Sequence, residues 1–336
     1  MRFLESLICV GLIGAVGAVA SVEGQTRTVN GPTLGFTPNV SGSIISPVIG
    51  IPGASLMTDH LALDTAIRAA IVSPKQDYAL ALRSDDAQPV AIDLTGAAPQ
   101  TIVIGGARPA PALIALSPAG SAAATFDAES KTIQVITGLP QAPQIVHEFS
   151  LGADAGRATS LHISDDGSVA LIKIMGVDGT GLWALSASGS FSRLPIDQPS
   201  AAAFFANRND AIVSDSASQS AFIIMDAGGA ATQVPLTSAI DGMQTFSSIT
   251  ASDDGSRVFL ADANSGNIAI VDVQTRRAAV VDCGCQPSGF YRMNGRSIFR
   301  LMDASANPIS MLDASGSQPR IVLVAPNSFL VSEAAQ

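Results

Sequence analysis

Ser252-Asp253-Asp254-Gly255-Ser256-Arg257-Val258-Phe259-Leu260-Ala261 is a turn that passes directly into an apolar run, and Ile268-Ala269-Ile270-Val271-Asp272 follows as a second run. Ser and Asp side chains bond nearby backbone, Gly supplies a positive φ, and β-branched and aromatic residues favour a pleated surface, so the stretch reads as hairpins. Its flanks complete four short strands, at 248–252, 257–261, 268–271 and 277–281, with Asn264-Ser265-Gly266-Asn267 as the middle turn. Asp262 to Asn267 has some of the oxygens of a calcium loop, but the twelfth position from Asp262 is Val273 where a bidentate Glu is required, so a plain turn is expected.

The same turn recurs along the chain. It is found as Ser73-Pro74-Lys75-Gln76-Asp77, Ser117-Pro118-Ala119-Gly120-Ser121, Ser164-Asp165-Asp166-Gly167-Ser168, Ala206-Asn207-Arg208-Asn209-Asp210 and Arg292-Met293-Asn294-Gly295-Arg296, at intervals of 44, 47, 42, 46 and 40 residues once the Ser252 copy is included. Its fourth slot holds Gly four times and Asn once. About twenty residues into each unit a strand-like run closes on Asp93, Thr137, Ser186, Asp226, Asp272 or Asp313, side chains able to bond backbone two residues on and open the next turn. Four-stranded units at this period are the signature of a β-propeller.

The Ser252–Asp272 unit resembles the YVTN-type repeat of secreted and surface-layer seven-bladed propellers, which runs as an S-x-D-G turn, an aromatic-containing strand and an apolar strand ending in Asp. Val258-Phe259-Leu260-Ala261 stands in place of the tetrapeptide that names the group, and blades two and four match loosely. The resemblance covers about residues 65–324 and implies an architecture. Propellers range from binding scaffolds to lactonases and quinone-dependent dehydrogenases, so it carries no reaction with it.

Six copies leave two ends. Leu34-Gly35-Phe36 and Ile44 to Ile49 read as the third and fourth strands of another unit, and Ser328-Phe329-Leu330-Val331 as a strand from the other terminus. The expected fold is therefore an all-β propeller of seven blades of about 40–47 residues, closed by N- and C-terminal strands; six blades is the alternative. Residues 50–64, with Pro52-Gly53 and His60, are expected as the longest connector.

Residues 1–20 read as an export signal. Arg2 provides the positive start, Leu7 to Val19 an apolar run of 13 residues, and Ala18-Val19-Ala20 a small-x-small cleavage site. An uncleaved anchor helix is the alternative, although the run is short for a bilayer, and Cys9 lacks the small preceding residue of a lipidation site. The expected organisation is a signal at 1–20, a flexible N-terminus at 21–32, one propeller domain at 33–332 and a tail at 333–336, placing a monomer in the periplasm or outside the cell. No integral span is expected after signal removal.

Composition narrows the partners. The 336 residues carry a net charge of −10, with 23 Asp against 5 Glu and 15 Arg against 3 Lys. An acidic chain without a basic block offers no footprint for nucleic acid, and an excess of Asp over Glu fits turns better than helices. The three histidines, His60, His147 and His162, form no metal-binding pair, and no nucleophile elbow, phosphate loop or dinucleotide fingerprint occurs. Inner strands supply Arg68, His162, Thr250, Tyr291 and Arg292 but no carboxylate, which is poor material for a lactonase-type metal site. No cofactor and no metal are expected. Trp183 is expected to pack between blades, and Asn39-Val40-Ser41 is a glycosylation triplet by pattern.

Cys283-Gly284-Cys285 is expected as a local disulfide, with free buried thiols or metal and redox work as alternatives. Its loop, through Gln286 and Pro287, should cross one face near the channel. His162, Tyr291, Arg292 and Arg68 are the candidate ligand or partner face. The expected function is an exported, non-catalytic module binding a protein, glycan or small ligand; a channel-based hydrolase of lactonase type and a structural surface-layer or adhesive component are the alternatives.

Overall fold

Each repeated serine begins a hairpin, and its burial explains why serine recurs. In a computed structural model describing residues 31–39, 41–152, 154–177, 179–301 and 308–326, Ser73, Ser117 and Ser164 are fully buried and Ser252 nearly so. The Ser164 and Ser252 hydroxyls each accept the N–H five residues on, from Val169 and Arg257, at 3.0 Å. They donate in turn to Asp166 at 2.7 Å and Asp254 at 2.6 Å. The fourth residue takes the left-handed conformation, with φ of 61° at Gln76, 69° at Gly120, 70° at Gly167 and 66° at Gly255. At Gly255 the Arg208 guanidinium lies over the turn, where a β-carbon would oblige it to move.

The expected alignment needs correcting in two blades. Phe205 N–H bonds Asp210 C=O and Met293 N–H bonds Ile298 C=O, so Phe205 and Met293 occupy the serine position. The left-handed residue of blade four is Asn207, not Asn209.

Innermost strands Ile67–Val72, Leu113–Leu116, Arg157–Ile163, Pro199–Phe204, Ser248–Ala251 and Phe290–Arg292 each lead a four-stranded antiparallel sheet, giving blades one to six. A seventh, three-stranded blade is built from Thr33–Pro38, Ile45–Ile51 and Ala54–Met57. These strands are therefore the first, second and third of their blade, where the third and fourth had been expected. The missed strand lies inside the expected connector. It follows a hairpin turn at Pro52-Gly53, and in the strand before that turn Gly50 has φ of 114° and a β-carbon would strike the Ala54 carbonyl. Closure is made at the outer rim, where Arg320–Pro326, the last strand of blade six, runs parallel to Ala54–Met57, pairing Ala325 with Leu56 and Pro326 with Met57, and at the first turn of blade six, where Asn294 N–H donates to Leu34 C=O at 2.8 Å. The expected closing strand at 328–331 lies outside the described residues, as do the signal at 1–20, most of the flexible segment, Val40 of the glycosylation triplet and the tail.

Seven buried clusters lie in the seams, one between each neighbouring pair of blades. Ile45 and Phe36 pack against blade one, and Leu34 and Val48 against blade six, so the seventh blade has a seam on both sides. Alanine fills the second and third strands of several blades, where Ala79, Ala81, Ala91, Ala123 and Ala124 are fully buried. Small side chains let sheets approach closely, which gives the abundant alanine a packing role in an all-β fold. Outer strands alternate, as in the exposed and half-buried residues of Gln144–Ser150. Among the described residues no helix is long and apolar enough to cross a membrane.

Turns of adjacent blades are tied to one another on one face. Tyr78 Oη donates to Gly120 C=O at 2.8 Å. Asp165 accepts from Ala119 N–H at 2.7 Å on one side and Asn207 N–H at 2.6 Å on the other. Gln76 accepts from Phe36 N–H and donates to Arg292 C=O, both at 2.5 Å, joining blades one, seven and six.

Candidate functional site

The first strands of blades one to six wall a central cavity of about 510 Å³. No Asp or Glu lines it, and its titratable groups are His162, Lys173, Tyr291 and Arg292. Three of the four residues read from the sequence as a ligand face therefore meet in one cavity, together with the expected Thr250. Arg68 does not. It is exposed, and the register between the first two strands of blade one slips at this residue, from Ile67↔Arg83 to Ala69↔Leu82. Arg68 is the extra residue of a β-bulge, which re-aims its side chain.

His162 lies on the first strand of blade three. Its residue surface is partly open to the cavity, but Nε2 is sealed from solvent and has no hydrogen-bond partner. Burial, seconded by the nearby Lys173 charge, pulls the imidazole down to about 4. Tyr291 lies under the Arg300 guanidinium, 4.4 Å from its ring centroid, and burial pushes its hydroxyl up against the opposing pull of Arg300. Arg292 is fixed at the turn face. Nη1 pairs with Asp253 at 2.5 Å, Nη2 donates to Ala251 C=O at 2.6 Å, and the guanidinium stands 5.3 Å from the Phe299 ring.

Lys173 belongs to this site and was not among the expected residues. It sits on the second strand of blade three, Val169–Gly176, a rank behind the cavity wall. The first strand slips register at Thr159, from Ala158↔Ile174 to Ser160↔Lys173. Blade four slips at Ser200 and Ala201. Lys173 crosses between these bulges and donates to Ser200 C=O at 2.9 Å. The signal in the sequence was a lone charge inside the apolar run 169–175.

Cys283 and Cys285 are joined by a disulfide, their Cα atoms 5.0 Å apart. The loop crosses the face opposite the turns. Its sulfurs, however, belong to the buried cluster between blades five and six, where Cys283 is 7% exposed. Ser247 Oγ, donating to Pro287 C=O at 3.0 Å, pins the loop further. The loop faces the seam and leaves the cavity to its neighbours Phe290, Tyr291 and Arg292. Trp183 packs against the cluster between blades two and three and stacks on Phe191, with ring centroids 4.8 Å apart. Among the described residues no group of three His, Cys, Asp or Glu side chains is gathered as a metal-binding set.

No family model matches the chain, and no curated protein matches it in sequence. The YVTN likeness thus remains one of residues. Solved structures match in shape. A functionally unknown protein from Desulfotomaculum acetoxidans is 13% identical, with a TM-score of 0.59 over 88% of this chain and 100% of that one. A protein from Lactobacillus plantarum is 15% identical, with a TM-score of 0.57 over 88% and 96%. A putative 6-phosphogluconolactonase from Bacteroides fragilis is 13% identical, with a TM-score of 0.56 over 87% and 94%. These likenesses establish the β-propeller and nothing about chemistry.

Proposed function

We propose that this chain is an exported, monomeric, non-catalytic binding module whose ligand seats in the central channel. One observation carries the reading. His162, Tyr291 and Arg292 converge with the hydroxyls of Ser160, Ser248 and Thr250 on a cavity of about 510 Å³, a size suited to a small molecule. Their chemistry favours holding over reacting. A general acid or base works best near the operating pH, yet burial moves the His162 imidazole down and the Tyr291 hydroxyl up, away from neutrality. Arg292 is already tied to Asp253. The cavity wall offers no carboxylate for nucleophilic or base catalysis. Export is supported by the character of residues 1–20 and by the Cys283–Cys285 disulfide, a bond typical of oxidising compartments.

The test is a small-molecule panel read by thermal shift, on the wild type and on Thr250→Trp. Thr250 lines the cavity, and an indole there obstructs it. Saturable binding by the wild type and its loss in a folded Thr250→Trp support the reading. Turnover of a lactone or ester panel that disappears with the same substitution would establish the hydrolase alternative instead.

A further inference from the structure

Three lysines occur in the chain, and among the described residues no ion pair includes Lys173. Among the described residues its side chain makes one hydrogen bond, to Ser200 C=O at 2.9 Å. An ammonium carries three donors, and a half-buried cation without a counter-charge is costly to maintain. The contrast with the rest of the molecule is sharp. Acidic residues outnumber basic ones 28 to 18, yet none lines the cavity that Lys173 reaches.

Of the other cations around the channel, the arginine that lines it is ion-paired, whereas Arg300 behind it is held by a ring and leaves a buried Nε without a partner. Arg292 pairs with Asp253 at 2.5 Å, and Arg300 lies over the Tyr291 ring at 4.4 Å. Around Lys173, by contrast, both walls of the seam are opened by bulges. Thr159 lies at the slip in blade three, and Ser200 and Ala201 at the slip in blade four. Bulges of this kind re-aim side chains and cluster beside binding sites. The small residues Ala201, Ala202 and Ala203 leave room opposite. His162, on the same wall, adds a second polar group whose Nε2 has no partner. The seam thus holds a cation with no ion pair among the described residues and, behind its wall, a buried ring nitrogen without a partner, beside two bulges, in one of which Ser200 and Ala201 are bonded to Ser214.

We propose that the seam between blades three and four, where it opens on the channel, binds a small oxyanion, a carboxylate or phosphate head group, with Lys173 Nζ as the countercharge and His162, Ser160 and Ser200 around it. The inference rests on the channel being the binding site, and adds the chemical class of its ligand. An anion beside Lys173 and His162 favours their protonated forms, so occupancy raises the pKa of both.

The experiment uses the full-length protein labelled with ¹³Cε-lysine, in which Lys75, Lys131 and Lys173 supply the side-chain signals and Lys173→Met assigns one of them. Inorganic phosphate and acetate are titrated separately at constant ionic strength, with erythritol as a neutral probe. The expected result is a saturable shift confined to the Lys173 signal, with its pKa raised. Calorimetric affinity should fall at least tenfold in Lys173→Met and be largely kept in Lys173→Arg. Which arm saturates identifies the head group. Three lysine signals moving together without saturation, none moving, or undiminished binding by Lys173→Met would overturn the proposal. If Lys173→Met fails to fold, the wild-type titration still decides. Binding of a neutral ligand that Thr250→Trp abolishes, with both anion arms silent, removes this inference and leaves the channel reading standing.

Discussion

Replacing His162 with leucine should abolish most of the stability change between pH 7 and pH 5. In the folded chain burial and the Lys173 charge hold the imidazole at about 4, against an ordinary value of 6.5. A depressed histidine pKa means that the unfolded chain binds the proton more readily, so acidification through the window from 6.5 towards 4 favours unfolding. With those two values, the wild type loses about 2 kcal/mol between pH 7 and pH 5 from this one group. The carboxylates of Asp127, Asp166, Asp254, Asp262 and Asp313 contribute little in that interval, because both their ordinary value of 3.8 and the lower ones they take in the fold lie below pH 5. Urea denaturation at half-unit pH steps gives the two slopes. His162→Leu should be nearly flat where the wild type declines. Parallel profiles, or a flat wild type, would refute the claim that the imidazole is held neutral beside Lys173.

Further measurements address the parts of the fold that frame the channel. Gln76 bears φ of 61° and bonds both Phe36 and Arg292. Gln76→Ala should therefore cost about 3 kcal/mol in denaturant unfolding by stranding two backbone groups, and Gln76→Gly should recover part of that by relieving strain. Ser252→Ala removes the acceptor for Arg257 N–H and the donor to Asp254. It should cost about 1.5 kcal/mol in the same assay. Below pH 4 a second decline should set in, since depressed carboxylates contribute stability that is present above 3.8 and lost as pH falls through their folded values; circular dichroism against pH reads it. Replacing Cys283 and Cys285 together with serine should lower stability by less than about 2 kcal/mol, because the closed loop is minimal.

What the sequence disclosed follows from how local each signal is. The hairpin turns were legible because a serine hydroxyl, an aspartate and a left-handed residue act within five positions of one another. The asparate excess found its place in the same way: Asp93, Asp127, Asp262 and Asp313 each accept the N–H two residues on, at 2.8, 3.0, 2.9 and 3.2 Å. His162, Tyr291 and Arg292 could be placed on the channel because the repeat period identifies the first strand of a blade. Bulges were opaque, since a one-residue slip depends on how two strands pair and leaves no local pattern. That single cause both hid Lys173, which reaches forward from the second strand, and made Arg68 look like a wall residue. Ala54–Met57 was missed because a four-residue strand behind Pro52-Gly53 resembles a loop.

Among the described residues the strands of each blade follow one another directly along the chain. Six of the seven seams are crossed by a peptide connection, while the seam between blades six and seven is held without one, by the Ala325–Leu56 and Pro326–Met57 pairing, by Asn294 N–H to Leu34 C=O at 2.8 Å, by Asn294 Nδ2 to Thr33 C=O at 3.1 Å, and by side-chain packing. The compliance of the ring is therefore concentrated at that junction. A hoop with one unriveted joint parts there first, so the integrity of the channel wall depends on a handful of hydrogen bonds at the place where the chain does not continue.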